Sequence, residues 1–239
     1  GPGTKQALGK IADVVATGAD AMGLEHGPLP RNAPGCDGQG MCPFGCPTDA
    51  RRSSNVSWVP RALKAGAELF TGLPVTRLLR RGRRVVAIEA RGSDRHGAPK
   101  TLRIHADAVV MATGTLATPL LLADNGFNLP WMGRNLSVHP AFGAYVMCDE
   151  DLAPWNAIPQ GYGVQNIGEN IKFEGFWMPP QVSAMLLPAV GEELTEWMGN
   201  AHRVGQYGFM VRDENRGRVR RGPGGKPIIQ YSLSKRSLS

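Results

Sequence analysis

The spacing of apolar residues is helical near the amino terminus. Between residues 5 and 22 the apolar positions recur at intervals of three and four, and we predict a helix there that ends at Gly23. A second, shorter helix is predicted over residues 55–66, since Pro60 is tolerated in a first turn and Gly66 is suited to a helix end.

The pattern changes to alternation from residue 67 onward. A short strand is predicted over residues 66–72, in GAELFTG, and four more follow it. The first three of these form a meander with turns at Arg81-Gly82 and over residues 93–99. The fourth, over residues 108–112, is almost wholly apolar, as in a strand covered on both faces.

This apolar strand leads directly into a predicted helix. Thr113 and Gly114 follow the strand, and Thr118-Pro119 combines a capping hydroxyl with a proline at the first helical position. Gly126 is suited to end the helix. Such a turn lets a ligand approach the backbone, and the helix start favours negative charge, although many α/β proteins use the same crossover only for packing.

The remaining segments contain strands separated by long connections. We predict one helix among them, over residues 192–202, and expect an antiparallel sheet. The predicted strands lie at residues 142–147, 171–177, 207–212, 218–220 and 227–233. The fold class is therefore mixed α/β of the α+β kind.

Composition excludes several classes of protein. The 239 residues are 42% hydrophobic and 20% charged, which disfavours wholesale disorder and a coiled coil. The net charge of +7 arises partly from runs at residues 77–84 and 216–221, which we interpret as solvated turns rather than as a nucleic-acid surface. No apolar run reaches the roughly 18 residues of a membrane span. The start lacks a secretory pattern, so the compartment stays open, with the cytoplasm favoured.

Three of the four cysteines lie close together in the chain. Cys36, Cys42 and Cys46 occur in GCDGQGMCPFGCPTDA, and Cys148 is distant. Thiolates at this spacing suit an iron–sulfur cluster or zinc. The alternative is a tight loop whose thiols pack against a neighbour or form one disulfide. We favour the loop and assign no metal.

The segment GTLATPLLLADNG resembles the second signature of the glucose–methanol–choline (GMC) flavoprotein oxidoreductases. Asn125 stands where that family usually has serine. The matching residues are Gly114, Thr115, Thr118, Pro119, Leu121, Leu122 and Gly126.

Two further segments resemble the same family. MGRNLSVHP is similar to its G-x-N-L-x-x-H element through Gly133, Asn135, Leu136 and His139. Upstream, the stretch from CPFGCP to PVTRLL is similar to the family's Arg-Ser, Pro-Ala and strand-to-valine region. Its cysteine-rich form resembles the long-chain alcohol oxidase and sugar or gluconate dehydrogenase branches. The resemblance spans about residues 36–140.

The resemblance implies FAD and an enzyme that oxidises an alcohol or a sugar alcohol by hydride transfer to the flavin. It divides the chain into a helix and cysteine-rich loop over residues 1–67, part of a Rossmann-like FAD-binding domain over 68–141, and the start of an antiparallel substrate-binding domain over 142–239.

The resemblance also implies cofactor-binding residues. Val75 would meet the adenine through its backbone, and Ala112, Thr113 and Gly114 would lie at the adenosine end, at the start of the helix that Thr118 caps. Asn135 and His139 would lie near the flavin. Strand packing is the alternative role for Val75 and Ala112, and a structural hydrogen bond is the alternative for His139.

Two family features have no match in this sequence. No G-x-G-x-x-G loop follows a strand, and His202, the one histidine after His139, does not fit the family's catalytic histidine. No catalytic residue is assigned. We expect a partial chain that is inactive alone, whose partners are a small alcohol and either the missing terminal segments or an electron-acceptor subunit. The alternative is a non-catalytic or split FAD-binding module that needs a complementing chain.

Overall fold

A computed structural model describes residues 3–168 and 170–238 of the chain. The α-helices are α1 (Lys5–Leu8), α2 (Lys10–Ala21), α3 (Trp58–Lys64), α4 (Gly114–Asp124), α5 (Pro180–Leu186), α6 (Gly191–Gly199) and α7 (Lys235–Leu238). The strands are β1 (His26–Pro28), β2 (Val75–Arg81), β3 (Arg84–Ser93), β4 (Pro99–His105), β5 (Arg134–Leu136), β6 (Ala141–Met147), β7 (Tyr162–Gly168), β8 (Ile171–Phe176), β9 (Val204–Val211), β10 (Gly217–Arg221) and β11 (Pro227–Gln230). Short 3₁₀ turns occupy Pro154–Asn156, Ala201–Arg203 and Pro223–Gly225.

The chain divides into two compact units. Unit 1 comprises Gly1–Ala65 and His139–Arg212, and unit 2 comprises Gly66–Val138 and Asp213–Ser239. The units differ in two respects from the three predicted segments, because residues 1–65 share a unit with residues 139–212 and the last 27 residues belong to unit 2. These residues join unit 2 through β10, which pairs with β5. The functional division into FAD and substrate domains stays a prediction.

Unit 1 is built on an antiparallel five-stranded sheet. Its strand order is β1-β7-β8-β9-β6. The helix α2 packs on one face of this sheet because its apolar residues recur on one side. The core on that face is formed by Ile11, Val15, Ala19, Ala157, Val164 and Tyr207.

Unit 2 contains two three-stranded antiparallel sheets. One is the meander β2-β3-β4, and the other has the order β11-β10-β5. A small core between α4 and the second sheet contains Leu120, Leu136 and Val219, all of them buried. The predicted meander is confirmed, as is the mixed α/β fold class with antiparallel sheets.

Two predicted strands are wrong. Residues 66–72 form no strand, and the side chains of Leu69 and Phe70 are exposed. Residues 108–112 are also irregular, with Val110 88% exposed. An apolar strand of this kind requires neighbours, and none of the described strands pairs with residues 108–112.

Three smaller predictions need correction. The helix predicted over residues 5–22 is broken between α1 and α2 at Gly9, whose φ is +68°. The helix predicted to begin at Thr118-Pro119 begins at Gly114 instead, so Pro119 lies inside α4 and not at its first position. The two arginine-rich runs, both interpreted as turns, lie mostly in strands, because residues 77–81 belong to β2 and residues 217–221 form β10.

None of the described helices is both long enough and apolar enough to cross a membrane.

Candidate functional site

The backbone at the start of α4 is accessible beside Gly114. Gly114 has φ of +85°, a conformation that glycine adopts without steric cost. A Cβ atom placed on Gly114 would meet no described atom within 4 Å. The Oγ1 atoms of Thr113 and Thr118 lie 2.8 Å apart, so a hydroxyl hydrogen bond spans this first turn. The helix therefore begins with open space beside a glycine and with its free N–H groups nearby.

The end of α4 is fastened to the neighbouring strand by Asn125. The side-chain Oδ1 of Asn125 accepts a hydrogen bond of 2.7 Å from the N–H of Leu78 in β2. Its Nδ2 donates to the carbonyl oxygen of Leu121 at 2.8 Å. Gly126 follows with φ of +72°, as predicted for the residue that ends the helix. The asparagine at the position of the family's serine therefore fixes the direction of α4.

The segment around β5 approaches β10 very closely. Gly133 has φ of +67°, and its carbonyl oxygen accepts a hydrogen bond of 2.7 Å from the N–H of Val219. A Cβ atom on Gly133 would overlap the carbonyl oxygen of Val219. Asn135, two residues later, has φ of +62°. For a residue other than glycine, such as Asn135, this left-handed conformation is sparsely populated, and residues of this kind are concentrated at functional sites.

A cavity of about 760 Å³ lies between α4 and the β5 segment, within unit 2. Four of the predicted cofactor residues line it together: Ala112, Gly114, Thr118 and Asn135. They come from two segments that the structure brings to one place.

The other predicted residues lie elsewhere. Val75, at the start of β2, is paired with Ala90 and is not part of the described lining. Thr113 is also outside the described lining of the cavity. It forms a hydrogen bond with Thr118, which does line the cavity. His139 belongs to unit 1. The roles predicted for all of these residues remain predictions.

Much of the cavity wall was not predicted from the sequence. Trp131 lines the cavity and is 70% exposed, so a broad aromatic surface is available there. Arg134 adds a positive charge close to Asn135. The remaining apolar lining includes Met111, Leu122, Leu129, Pro130, Met132 and Val219. Trp131 and Arg134 are close in sequence to Gly133 and Asn135, which the family resemblance had identified. This proximity is a signal that could have identified them.

The chemistry of this wall suits a flat, partly anionic ligand. The N-terminus of α4 and the guanidinium of Arg134 both favour negative charge. The Trp131 ring and the methionine and leucine side chains favour an apolar ring system. Such a combination of apolar walls with a few polar groups is typical of small-molecule and cofactor sites in general.

The cysteine loop of unit 1 contains free thiols. All four cysteines are free, and Nη2 of Arg31 lies 3.4 Å from Sγ of Cys42. Sγ of Cys46 accepts a hydrogen bond of 3.4 Å from the N–H of Arg51 and lies 3.6 Å from Oγ1 of Thr48. These hydrogen bonds, the one from Arg51 foremost, lower the pKa of the Cys46 thiol below its ordinary value.

The structure does not bring Cys36, Cys42 and Cys46 together as a metal site. Among residues 3–168 and 170–238, no group of three or more histidine, cysteine or acidic side chains is placed to hold a metal ion.

Comparison with known proteins identifies the family of the chain. The family model of the GMC oxidoreductases matches residues 4–141, which is more than half of the chain. The chain belongs to the GMC oxidoreductase family.

Individual relatives are longer than this chain. It is 33% identical over 230 residues to an uncharacterized GMC-type oxidoreductase of Mycobacterium tuberculosis, covering 95% of this chain and 36% of the relative. It is 28% identical to a long-chain-alcohol oxidase of Arabidopsis thaliana, covering 93% of this chain and 31% of the relative. The chain thus spans about a third of the length of these relatives.

A solved structure also matches part of the chain. It is an FAD-dependent oxidoreductase from Chaetomium thermophilum, with 12% identity and a TM-score of 0.42, covering 74% of this chain and 42% of that one.

Proposed function

We propose that this chain is part of an FAD-dependent oxidoreductase that acts on the CH–OH group of an alcohol. The observation that carries the proposal is the convergence of Ala112, Gly114, Thr118 and Asn135 on one cavity. These are positions that the family resemblance assigns to the cofactor. The Arabidopsis relative is a long-chain-alcohol oxidase, which supports the substrate class.

The residues of the cavity fit FAD. Gly114 leaves open space where a side chain would stand, so a ligand can approach its backbone. Arg134 and the start of α4 would favour the pyrophosphate, and Trp131 would pack on a ring of the cofactor. FAD, when bound, supplies the acceptor for the hydride that leaves the alcohol carbon. The residues of this chain would bind and orient the cofactor.

The Gly114→Val variant tests the cofactor site. We expect FAD binding to weaken by about tenfold or more, because a branched side chain would occupy the open space beside the backbone. The measurement is the dissociation constant for FAD from flavin fluorescence. Gly97→Val is the matched control, since Gly97 also has positive φ and open space around it but lies in a distant turn. Equal affinity in the Gly114 and Gly97 variants would contradict the assignment.

We further propose that the chain requires a complementing segment. The apolar residues 108–112 are irregular and Val110 is 88% exposed, which suits a strand whose partner is supplied by another segment. This observation favours both a partial enzyme and a split FAD-binding module.

Complementation tests this requirement. We expect the chain alone to show no alcohol oxidation with an artificial electron acceptor, because no residue matches the family's catalytic base. Co-expression with a relative's segment that carries a G-x-G-x-x-G loop is expected to increase bound FAD. Replacing Val110 by lysine should abolish that increase, whereas the same change at the exposed Val190 should not. Turnover by the chain alone would contradict the proposal.

A further inference from the structure

The cysteine loop of unit 1, residues 36–51, is a sequence motif that the proposed function leaves unused. The thiols of the chain lie in different surroundings. Cys36 packs against an apolar cluster that includes Leu8 and Ile158. Cys148, directly after β6, donates a long hydrogen bond of 4.0 Å to the carbonyl oxygen of Val146. Neither contact activates a sulfur atom as a nucleophile.

The surroundings of Cys46 differ, because its sulfur accepts hydrogen bonds. The N–H of Arg51 donates to Sγ of Cys46 at 3.4 Å, and Oγ1 of Thr48 lies 3.6 Å from the same atom. The N–H of Arg51 and then the Thr48 hydroxyl lower the pKa of this thiol, and burial opposes them only in part. The N–H groups of Thr48 and Ala50 add to the lowering. Backbone N–H groups directed at one point form an anion site, and here the favoured anion is the thiolate.

Cys46 is also within reach of solutes. The residue is half-buried, while residues 43–45 and 47–49 on either side of it are exposed. A cysteine that is both accessible and stabilised as its thiolate is the usual target of oxidation by peroxide. Cys46 combines these two properties.

A second thiol lies in the same loop. Cys42 precedes Cys46 by four residues, and the chain between them turns, with two N–H groups donating to the carbonyl oxygen of Met41 at 3.0 and 3.1 Å. Arg51 contacts both cysteines, because its Nη1 also donates to the carbonyl oxygen of Cys42 at 2.8 Å. Nη2 of Arg31 lies 3.4 Å from Sγ of Cys42. A bond between the two sulfur atoms therefore requires rearrangement of this turn alone.

We infer that Cys46 is a site of oxidation by hydrogen peroxide and that Cys42 converts the oxidised residue into a disulfide. In the first step the Cys46 thiolate attacks one peroxide oxygen and the O–O bond breaks. The sulfur becomes a sulfenic acid, and the departing hydroxide takes up the proton that Cys46 released. In the second step Sγ of Cys42 attacks Sγ of Cys46, the S–O bond breaks, and water leaves with the proton of Cys42. Two thiols and one peroxide thus give one disulfide and two water molecules.

The two cysteines have different roles in this reaction. Cys46 reacts first, since N–H groups stabilise its thiolate. Cys42 reacts second, and the guanidinium of Arg31 places a positive charge beside its attacking sulfur. Cys36 does not compete, because it is held against the apolar cluster. The reaction needs neither FAD nor an alcohol, so it can occur whether or not the proposed function is correct.

Peroxide treatment of the reduced full chain, followed by alkylation and peptide mass spectrometry, tests the inference. The tryptic segment 32–51 contains Cys36, Cys42 and Cys46 together, whereas Cys148 lies in another peptide. We expect the segment to lose two of its three free thiols and Cys148 to stay reduced, and dithiothreitol should restore both thiols. A segment that keeps all of its thiols, or faster oxidation of Cys148, would overturn the inference.

Serine variants assign the sulfur atoms. In Cys42→Ser, dimedone should trap a sulfenic acid on Cys46, because the thiol that would displace it is gone. Cys36→Ser is the matched control, since it removes another thiol of the same segment and should form the disulfide to the wild-type extent. A disulfide that persists in Cys42→Ser, or is lost in Cys36→Ser, would contradict the role of Cys42. Failure to detect the dimedone adduct in Cys42→Ser would contradict the role of Cys46.

Thr48→Val tests the reactivity of Cys46 without changing any thiol. Valine retains the shape of threonine but lacks the hydroxyl group near Sγ of Cys46. We expect iodoacetamide to alkylate Cys46 about threefold more slowly at pH 7, with the midpoint of the rate-against-pH curve moved to higher pH. The alkylation rate of Cys148 in the same molecule is the internal control and should not change. An unchanged rate at Cys46 would show that the accepted hydrogen bonds do not activate it.

Discussion

The Gly133→Ala variant is expected to open the contact between β5 and β10. Alanine at φ of +67° costs about 1–2 kcal/mol, and its Cβ atom would also overlap the Val219 carbonyl oxygen. We expect a total cost of roughly 3 kcal/mol. Amide hydrogen exchange at Val219, whose N–H donates to Gly133, should then be about a hundredfold faster.

The control for this prediction is Gly82→Ala. Gly82 has φ of +61° in the turn after β2, but no described atom lies within 4 Å of a Cβ placed there. The control therefore measures the cost of the backbone conformation alone. Exchange in β7 and β8 of unit 1 should not change in either variant. If the two variants altered exchange at Val219 equally, the close approach of Gly133 would have no separate energetic role.

The contact between Gly133 and Val219 also shows why one side of it could be recognised from the sequence and the other could not. The sequence places Gly133 and Asn135 in one short segment, where the resemblance to a known element is visible. Val219 lies more than 80 residues later and shows only strand periodicity. Its position against Gly133 follows from the return of the chain to unit 2, which local pattern does not encode.

Local periodicity predicted the elements whose sheet partners are close to them in sequence. The meander of β2, β3 and β4 alternates clearly and has short turns, so neighbours in the chain are also neighbours in the sheet. The strand β7 was missed because GYGVQNIG contains glycines in place of the branched and aromatic residues of most strands. The helix α5 was missed because Pro179 and Pro180 indicate a break, although Pro180 is tolerated at a helix start.

The residues of the candidate site likewise divide into those that a local sequence signal identified and those that it did not. Gly114, Thr118 and Asn135 were identified because they stand in recognisable segments, and they line one cavity. Outside this site, Glu174 in β8 of unit 1 is buried but gave no signal, because one acidic residue in a predicted strand is normally exposed. Its burial depends on the register that places it among glycines of three other strands. The apolar segment 108–112 indicated a covered strand, yet the described chain supplies no cover for Val110.

Unit 2 also depends on a buried carboxylate, that of Asp213. This residue is 2% exposed. Its Oδ2 accepts from the Tyr231 hydroxyl at 2.7 Å, and its Oδ1 from the Ser237 hydroxyl at 3.0 Å and from the N–H of Ser234 at 3.2 Å. Hydrogen bonds from Ser234, then from Tyr231 and Ser237, hold the pKa of Asp213 well below its ordinary value. The carboxylate therefore connects the segment after β11 to the segment that precedes β10.

Asp213→Asn is expected to lower the midpoint of thermal unfolding by several degrees at pH 7, because an amide cannot accept all of these hydrogen bonds.

A depressed pKa in the folded state means that Asp213 stabilises the fold above its unfolded pKa of about 3.9, and that this contribution is lost as the pH falls further. The difference between wild type and variant should therefore be constant from pH 7 to pH 5 and shrink below about pH 4. Glu214→Gln is the control, since the Glu214 side chain forms an exposed ion pair with Arg236 at 2.8 Å, and such a pair contributes little. A difference that persists undiminished at pH 3, or one no larger than that of the Glu214 variant, would show that the Asp213 hydrogen bonds do not stabilise unit 2.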